Sequence, residues 1–122
     1  MSPANGNGAR VIPVLPEGAL KLLGFCRRSG KLVCGAGQVL AAVTGKKPPA
    51  VVVMASDVSE RTEKQLFDKC SYRNVRLARA KVTGEELAHL LGKTGAVMAA
   101  GATDPGIAAQ IIRLIDRKSE QE

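Results

Sequence analysis

The chain is poor in aromatic side chains. Tryptophan is absent, and Phe25, Phe67 and Tyr72 are the only aromatic residues. A protein that stacks successive single-stranded bases on aromatic platforms needs more of them, and needs them exposed. Phe25 and Phe67 read as core, which disfavours that class of reader. Histidine occurs once, at His89, and the three cysteines, Cys26, Cys34 and Cys70, form no C-x-x-C pair. A structural zinc site takes four closely spaced Cys or His ligands. No metal is therefore expected, and the thiols read as reduced and mostly buried. No apolar run approaches the roughly 20 residues that span a bilayer. MSPANGNGAR lacks the charged and apolar regions of a secretory signal, so no membrane is expected and the expected location is the cytoplasm.

The usual catalytic constellations are missing too. Glu85 and Glu86 are consecutive, and a helix splays such a pair by about 100°. His89 falls on the same predicted helix and reads as a surface residue. There is no G-x-S-x-G elbow. Gly30-Lys31 is not a phosphate-binding P-loop: the spacing from Gly24 is one residue too long, and Leu32 stands where a hydroxyl must hold magnesium. Gly35-Ala36-Gly37 opens a helix after a strand, as a dinucleotide fingerprint does, but Leu40 fills the third small position and blocks close helix–strand contact. The reading is not an enzyme, with no cofactor and no small-molecule substrate.

What the sequence does have is positive charge. Its 122 residues carry 18 Lys and Arg against 11 Asp and Glu, for a net charge of +7. Between Lys21 and Lys93 stand 14 basic and 6 acidic residues, so the excess belongs to the folded body. A compact basic domain points to a polyanionic partner, most often nucleic acid. The plain alternative is a solvated surface that serves solubility. Hydrophobic residues make up 45% of the chain, enough for a real core, and the length suits one domain. Residues 1–15 read as a flexible leader, 16–118 as the domain and 119–122 as a short tail.

The pattern along the chain alternates helices and strands. A first helix starts near Pro16 and buries Ala19, Leu22, Leu23 and Cys26. Gly30 stops it in the left-handed conformation. Lys31–Cys34 is a short strand, and a second helix covers 37–44. AVVVMA, from Ala50 to Ala55, fits a central strand covered on both faces. Ser56, Asp57 and Ser59 are candidate caps for a third helix over 59–71. Val75, Leu77 and Arg79 alternate with Arg76 in a strand with one wet face. Thr83 and Glu86 form a capping box for a fourth helix. Gly92 and Gly95 bracket a turn, Ala96–Ala100 is a second buried strand, and Asp104 caps a fifth helix that begins at Pro105. Strands separated by helices predict an α/β fold, with helices on both faces of a sheet.

One stretch combines these features with exposed backbone. In CRRSGKLVCGAGQVLAAV, glycines at a strand-to-helix junction leave amide donors uncovered, and the second helix adds the partial positive charge of its N-terminus. Arg27, Arg28 and Lys31 lie close by in sequence. That is a surface suited to gripping phosphate.

SGKLVCGAGQVLAAV followed by AVVVMASDVSERTEKQL resembles the kink-turn-binding ribosomal-protein superfamily, the L-seven-Ae and L-thirty-e type, and within it the small bacterial YlxQ-like proteins. D-K-C at Asp68–Cys70, E-E-L at Glu85–Leu87 and L-G-K at Leu91–Lys93 fit as well. The resemblance covers about residues 16–116. It implies a three-layer α-β-α sandwich around a small mixed four-stranded sheet, and RNA binding without catalysis. In relatives that bind kink-turns the key segment reads G-x-N-E-x-x-K. Here Gly35 and Ala36 are followed by Gly37, Gln38 and, at the lysine position, Ala41. Gly37 offers no base-reading side chain, Gln38 has no charge, and Ala41 cannot hold a phosphate. Generic contact with structured RNA, with ribosomal RNA as the candidate, is therefore expected rather than sheared G·A recognition. Two further loops are expected to flank Gly35–Gln38: Ser56–Ser59, with Asp57 in the loop and Arg61 and Lys64 on the helix that follows, and Arg79–Val82, with Arg79, Lys81 and Val82. A protein adaptor that meets an acidic partner with the same basic surface is the alternative. The sequence does not set the oligomeric state.

Overall fold

A computed structural model of the chain describes residues 10–121. The first nine residues of the expected leader, and residue 122, lie outside it. The elements in order are α1 (Glu17–Arg28), β1 (Leu32–Cys34), α2 (Ala36–Val43), β2 (Val51–Met54), α3 (Glu60–Arg73), β3 (Arg76–Arg79), α4 (Gly84–Leu90), β4 (Ala99–Ala102) and α5 (Pro105–Gln121). The four strands form one mixed sheet in the order β1-β4-β2-β3. β2 and β3 are parallel, while β4 runs antiparallel to both β1 and β2.

The sheet separates two cores. All four residues of β2 are buried, because successive side chains point to opposite faces and both faces are covered. Val51 and Val53 join Leu23 of α1, Leu87 and Leu91 around α4, and Ile111 and Ile115 of α5. Val52 and Met54 join Val39 and Val43 of α2 and Leu66 and Cys70 of α3. The result is a three-layer α-β-α sandwich, with α1, α4 and α5 on one face and α2 and α3 on the other. β4 is built of alanine and glycine, which lets its neighbours approach: a Cβ at Gly101 would stand 2.9 Å from Pro49 Cγ.

Local signals read from sequence set several boundaries. Gly30 takes φ 74° after α1, and the Thr83–Glu86 capping box is formed in both directions. Asp104 Oδ1 accepts from the Ile107 amide at 3.0 Å. Four expectations are corrected. β4 begins at Ala99 rather than Ala96, because the Val97 amide turns to the Gly84 carbonyl at 2.9 Å before the strand pairs. α3 runs on to Arg73 and stops at Asn74, which adopts the left-handed conformation at φ 59°. The expected wet face of β3 is wet only at Arg76, which is part-exposed and bonds Asp116, while Ala78 beside it on the α5 side is fully buried. Phe25 is no core residue but stands 50% exposed on α1.

Residues 10–15, assigned by the sequence to the leader, lie along the outer edge of β3. Val14 bridges Arg79, the Leu15 amide donates to the Arg79 carbonyl at 2.8 Å, and the Arg79 amide donates to the Pro13 carbonyl at 2.9 Å. Leu15 is buried against the first core. This strap satisfies backbone groups that an edge strand otherwise leaves open.

Candidate nucleic-acid interface

The strand directions bring one end of the sheet together. β1, β2 and β3 finish at the rim where β4 begins, as the partners Cys34↔Ala100, Met54↔Ala99 and Met54↔Arg79 require. Gly35, the 55–59 loop, the 80–83 loop and the approach to β4 therefore share this rim. Backbone bonds tie them: Gly35 N to Ala99 O at 2.8 Å, Ala55 N to Met98 O at 2.8 Å, Ala80 N to Met54 O at 2.8 Å and Ser56 N to Val82 O at 2.8 Å.

At the β1 end of the rim stands the N-terminus of α2. Gly35 is its N-cap residue at φ 104°, and no side chain caps the helix. Only glycine adopts that φ without strain. The first-turn amides thus have no side-chain acceptor and carry the positive end of the helix dipole. Gly37 is exposed, and a Cβ added there would meet nothing within 4 Å. Gln38 behaves differently. Its side chain folds back so that Oε1 lies 2.5 Å from where a Gly35 Cβ would be. Ala36 is partly buried against the second core.

The cations divide into three groups. Arg27 turns from the end of α1 toward the α4–β4 turn, with Cζ 3.5 Å from the Cβ position of Gly92. Its charge and that of Lys93 both act on the Cys34 thiol, the residue before Gly35. Burial pushes that thiol up, and the two cations draw it back down. Arg27 and Lys93 therefore lie together near the glycine junction. Lys93 was missed as a site residue, although L-G-K at Leu91–Lys93 was part of the resemblance. Arg61, on the first turn of α3 after the second loop, and Lys81, on the third loop, are both exposed. Arg28 and Lys31 form the second group. Arg28 sits over the Phe25 ring at 5.2 Å from its centroid. Lys31 is exposed at the far end of β1, where its carbonyl accepts from the Thr103 amide at 2.9 Å.

The third group is neutralised. Arg79 bonds Glu63, which also takes Arg10 at 3.1 Å. Burial would raise the Glu63 carboxyl, but the bonds and charges of Arg79 and Arg10 hold it below the ordinary glutamate range. Lys64 pairs with Asp68 at 2.9 Å, one turn along α3. Asp57, expected as a cap for the third helix, instead accepts the Gly84 amide of α4 at 2.8 Å, while Ser59 caps α3. Asp57 thereby pins the second loop to the third. Val82 contributes packing against the first core. The structure thus gathers Gly35–Gln38, Arg27, Arg61 and Lys81 around one rim, and it gives Arg79, Lys64, Asp57 and Val82 internal partners.

A mixed β1-β4-β2-β3 sheet between helical layers, with an uncapped helix at one rim, defines a class: the small α-β-α sandwiches of ribosomal-protein type. Residues 18–112 match the Ribosomal protein L7Ae/L30e/S12e/Gadd45 family, and the chain belongs to it. It is 33% identical over 98 residues to the RNA-binding protein YlxQ of Enterococcus faecium, covering 80% of this chain and 91% of that protein. It is 32% identical over 95 residues to RNA-binding protein YlxQ of Bacillus subtilis (strain 168), covering 78% and 92%. A solved structure of a protein with unknown function from Bacillus halodurans superposes with TM-score 0.72 at 30% identity, covering 80% of this chain and 96% of that one. The 15.5kD RNA binding protein of Giardia lamblia superposes with TM-score 0.71 at 18% identity, covering 87% and 94%.

Proposed function

We propose that this protein binds structured RNA without catalysis, in the cytoplasm, with ribosomal RNA as the target class. The observation that carries the reading is the uncapped start of α2: Gly35 at positive φ, open space at Gly37, and the charges of Arg27 and Lys93 near the preceding Cys34. Backbone amides at a helix N-terminus bind phosphate oxygens without reading sequence. Arg27, Lys93, Arg61 and Lys81 supply the charge that makes such binding strong and salt-dependent. The two relatives named as RNA-binding proteins support the same reading.

The base-reading positions are depleted. Gly37 has no side chain, Gln38 is folded over Gly35, and Ala41 stands exposed with no charge. A kink-turn RNA is therefore bound no more than weakly better than a plain duplex. The test is a titration of matched kink-turn, hairpin and duplex RNAs at several salt concentrations. The reading expects binding that weakens linearly in log–log form with salt. A kink-turn preference above about 100-fold, roughly 2.7 kcal/mol, overturns the account of the depleted positions. Salt-insensitive behaviour with every RNA, together with capture of an acidic protein, favours the adaptor instead.

A further inference from the structure

The exposed Phe25 opens a second site. α1 and the end of α4 enclose a groove of about 510 Å³ whose walls include Leu20, Lys21, Gly24, Phe25, Arg28 and Leu90. Phe25 is 50% exposed and Leu90 42%. Gly24 leaves the floor open, since a Cβ there would meet nothing within 4 Å. Arg28 holds its guanidinium over the Phe25 ring, which makes a cationic, flat-sided pair. The only carboxylate in the lining is Glu17. It lies eleven residues from Arg28, about 16 Å along the helix. The groove is thus apolar in the middle and positive toward Arg28.

We propose that this groove takes one unpaired nucleotide of the bound RNA, its base stacked against Phe25 and Arg28 and its phosphate held by Lys21 or Arg28. The proposal rests on the RNA-binding reading and extends it. Bases that leave a helix are recognised by stacking on aromatic rings and guanidinium planes, and a cation beside the ring strengthens such a contact. A protein partner fits the surface less well. A stable interface buries about 800 Å² on each side, whereas the large apolar side chains exposed here are Phe25 and Leu90 alone.

The test uses the whole protein and two RNA hairpins that differ only in a three-nucleotide bulge. The bulged hairpin carries 2-aminopurine at an unpaired position. The wild type should bind the bulged hairpin more tightly and quench its emission. Phe25→Ala should lose that preference by about tenfold and abolish the quenching, while affinity for the paired hairpin stays unchanged. Phe25→Tyr should keep both. Equal loss on the two hairpins, or no loss on either, overturns the proposal. Loss of binding to an acidic amphipathic peptide with both RNA affinities intact overturns it in favour of a protein dock. If the wild type binds neither hairpin, the RNA-binding reading itself fails, and the proposal with it. Arg28→Gln provides a second arm and should weaken the bulge preference in the same direction.

Discussion

Two stretches of this chain look alike in sequence and differ in three dimensions. Arg27, Arg28 and Lys31 cluster at the end of α1. Arg73, Arg76 and Arg79 cluster around β3. The second set is consumed by the fold. Arg73 donates to the Gly45 carbonyl at 3.0 Å, Arg76 bonds Asp116, and Arg79 bonds Glu63. In the first set, and at Lys93, no carboxylate partner is found among the described residues. The difference follows from topology. β3 is an edge strand between α3 and α5, and both helices carry carboxylates at that level. The end of α1 faces Gly92 and the glycine junction, which carry none. Net charge therefore does not locate a polyanion site. The charges left without internal partners are the better candidates.

The sharpest way to break this comparison is to remove one cation set at a time. Arg27→Gln with Lys93→Ala should reduce RNA affinity by more than tenfold and lower the salt slope by about 0.7 to 0.9 units per lost contact, with little change in melting temperature. Arg79→Ala should do the reverse. It leaves the partly buried Glu63 with Arg10 alone, which costs about 1–3 kcal/mol of stability, and RNA affinity is retained. A large affinity loss from Arg79→Ala would erase the distinction.

A pH series sharpens the same point. The Glu63 carboxyl is held below its ordinary value, so its contribution is fully present above the unfolded pKa of about 4.3. It is lost as pH falls through the lower folded value. Glu63→Gln should therefore lower the melting temperature at pH 7, and the gap to wild type should close as pH falls below the ordinary glutamate range. A gap that stays constant across the range contradicts the assignment of this ion network to the fold.

A stability effect of similar size is expected at the glycine edge. Gly35→Ala forces a side chain to φ 104° and toward Gln38 Oε1. The strain should cost about 1–3 kcal/mol, read as a lower melting temperature. Gln38→Ala, which clears the space, should not restore it, because the backbone angle remains.

Most of the architecture was legible in the residues. Hydrophobic periodicity gave five helices and four strands, since β-branched runs and i, i+3, i+4 spacing report local geometry directly. Capping residues placed the starts of α4 and α5, because a cap bonds only a few residues away. The failures share one cause, that long-range partners are invisible locally. Asp57 read as a cap for the nearest helix, but its acceptor oxygen serves Gly84, 27 residues on. Arg79 read as a candidate RNA contact on the third loop, but Glu63 pairs with it once α3 has packed on β3. Phe25 read as core by residue type, although its helix turns that face toward the groove. The rim was half legible: the glycines announced exposed backbone, while Lys93 reaches the junction only through the α4–β4 turn.

The central claim is that bare amides at the start of α2, rather than side chains, meet the RNA. Gly37→Ala tests it most directly, by melting and RNA titration on one preparation. A Cβ at Gly37 meets no protein atom within 4 Å, and alanine is the better helix former by about 1 kcal/mol. The account predicts equal or higher thermal stability together with weaker RNA binding, because the methyl group stands where the phosphate must approach. A variant that gains stability and binds RNA at full strength would contradict it.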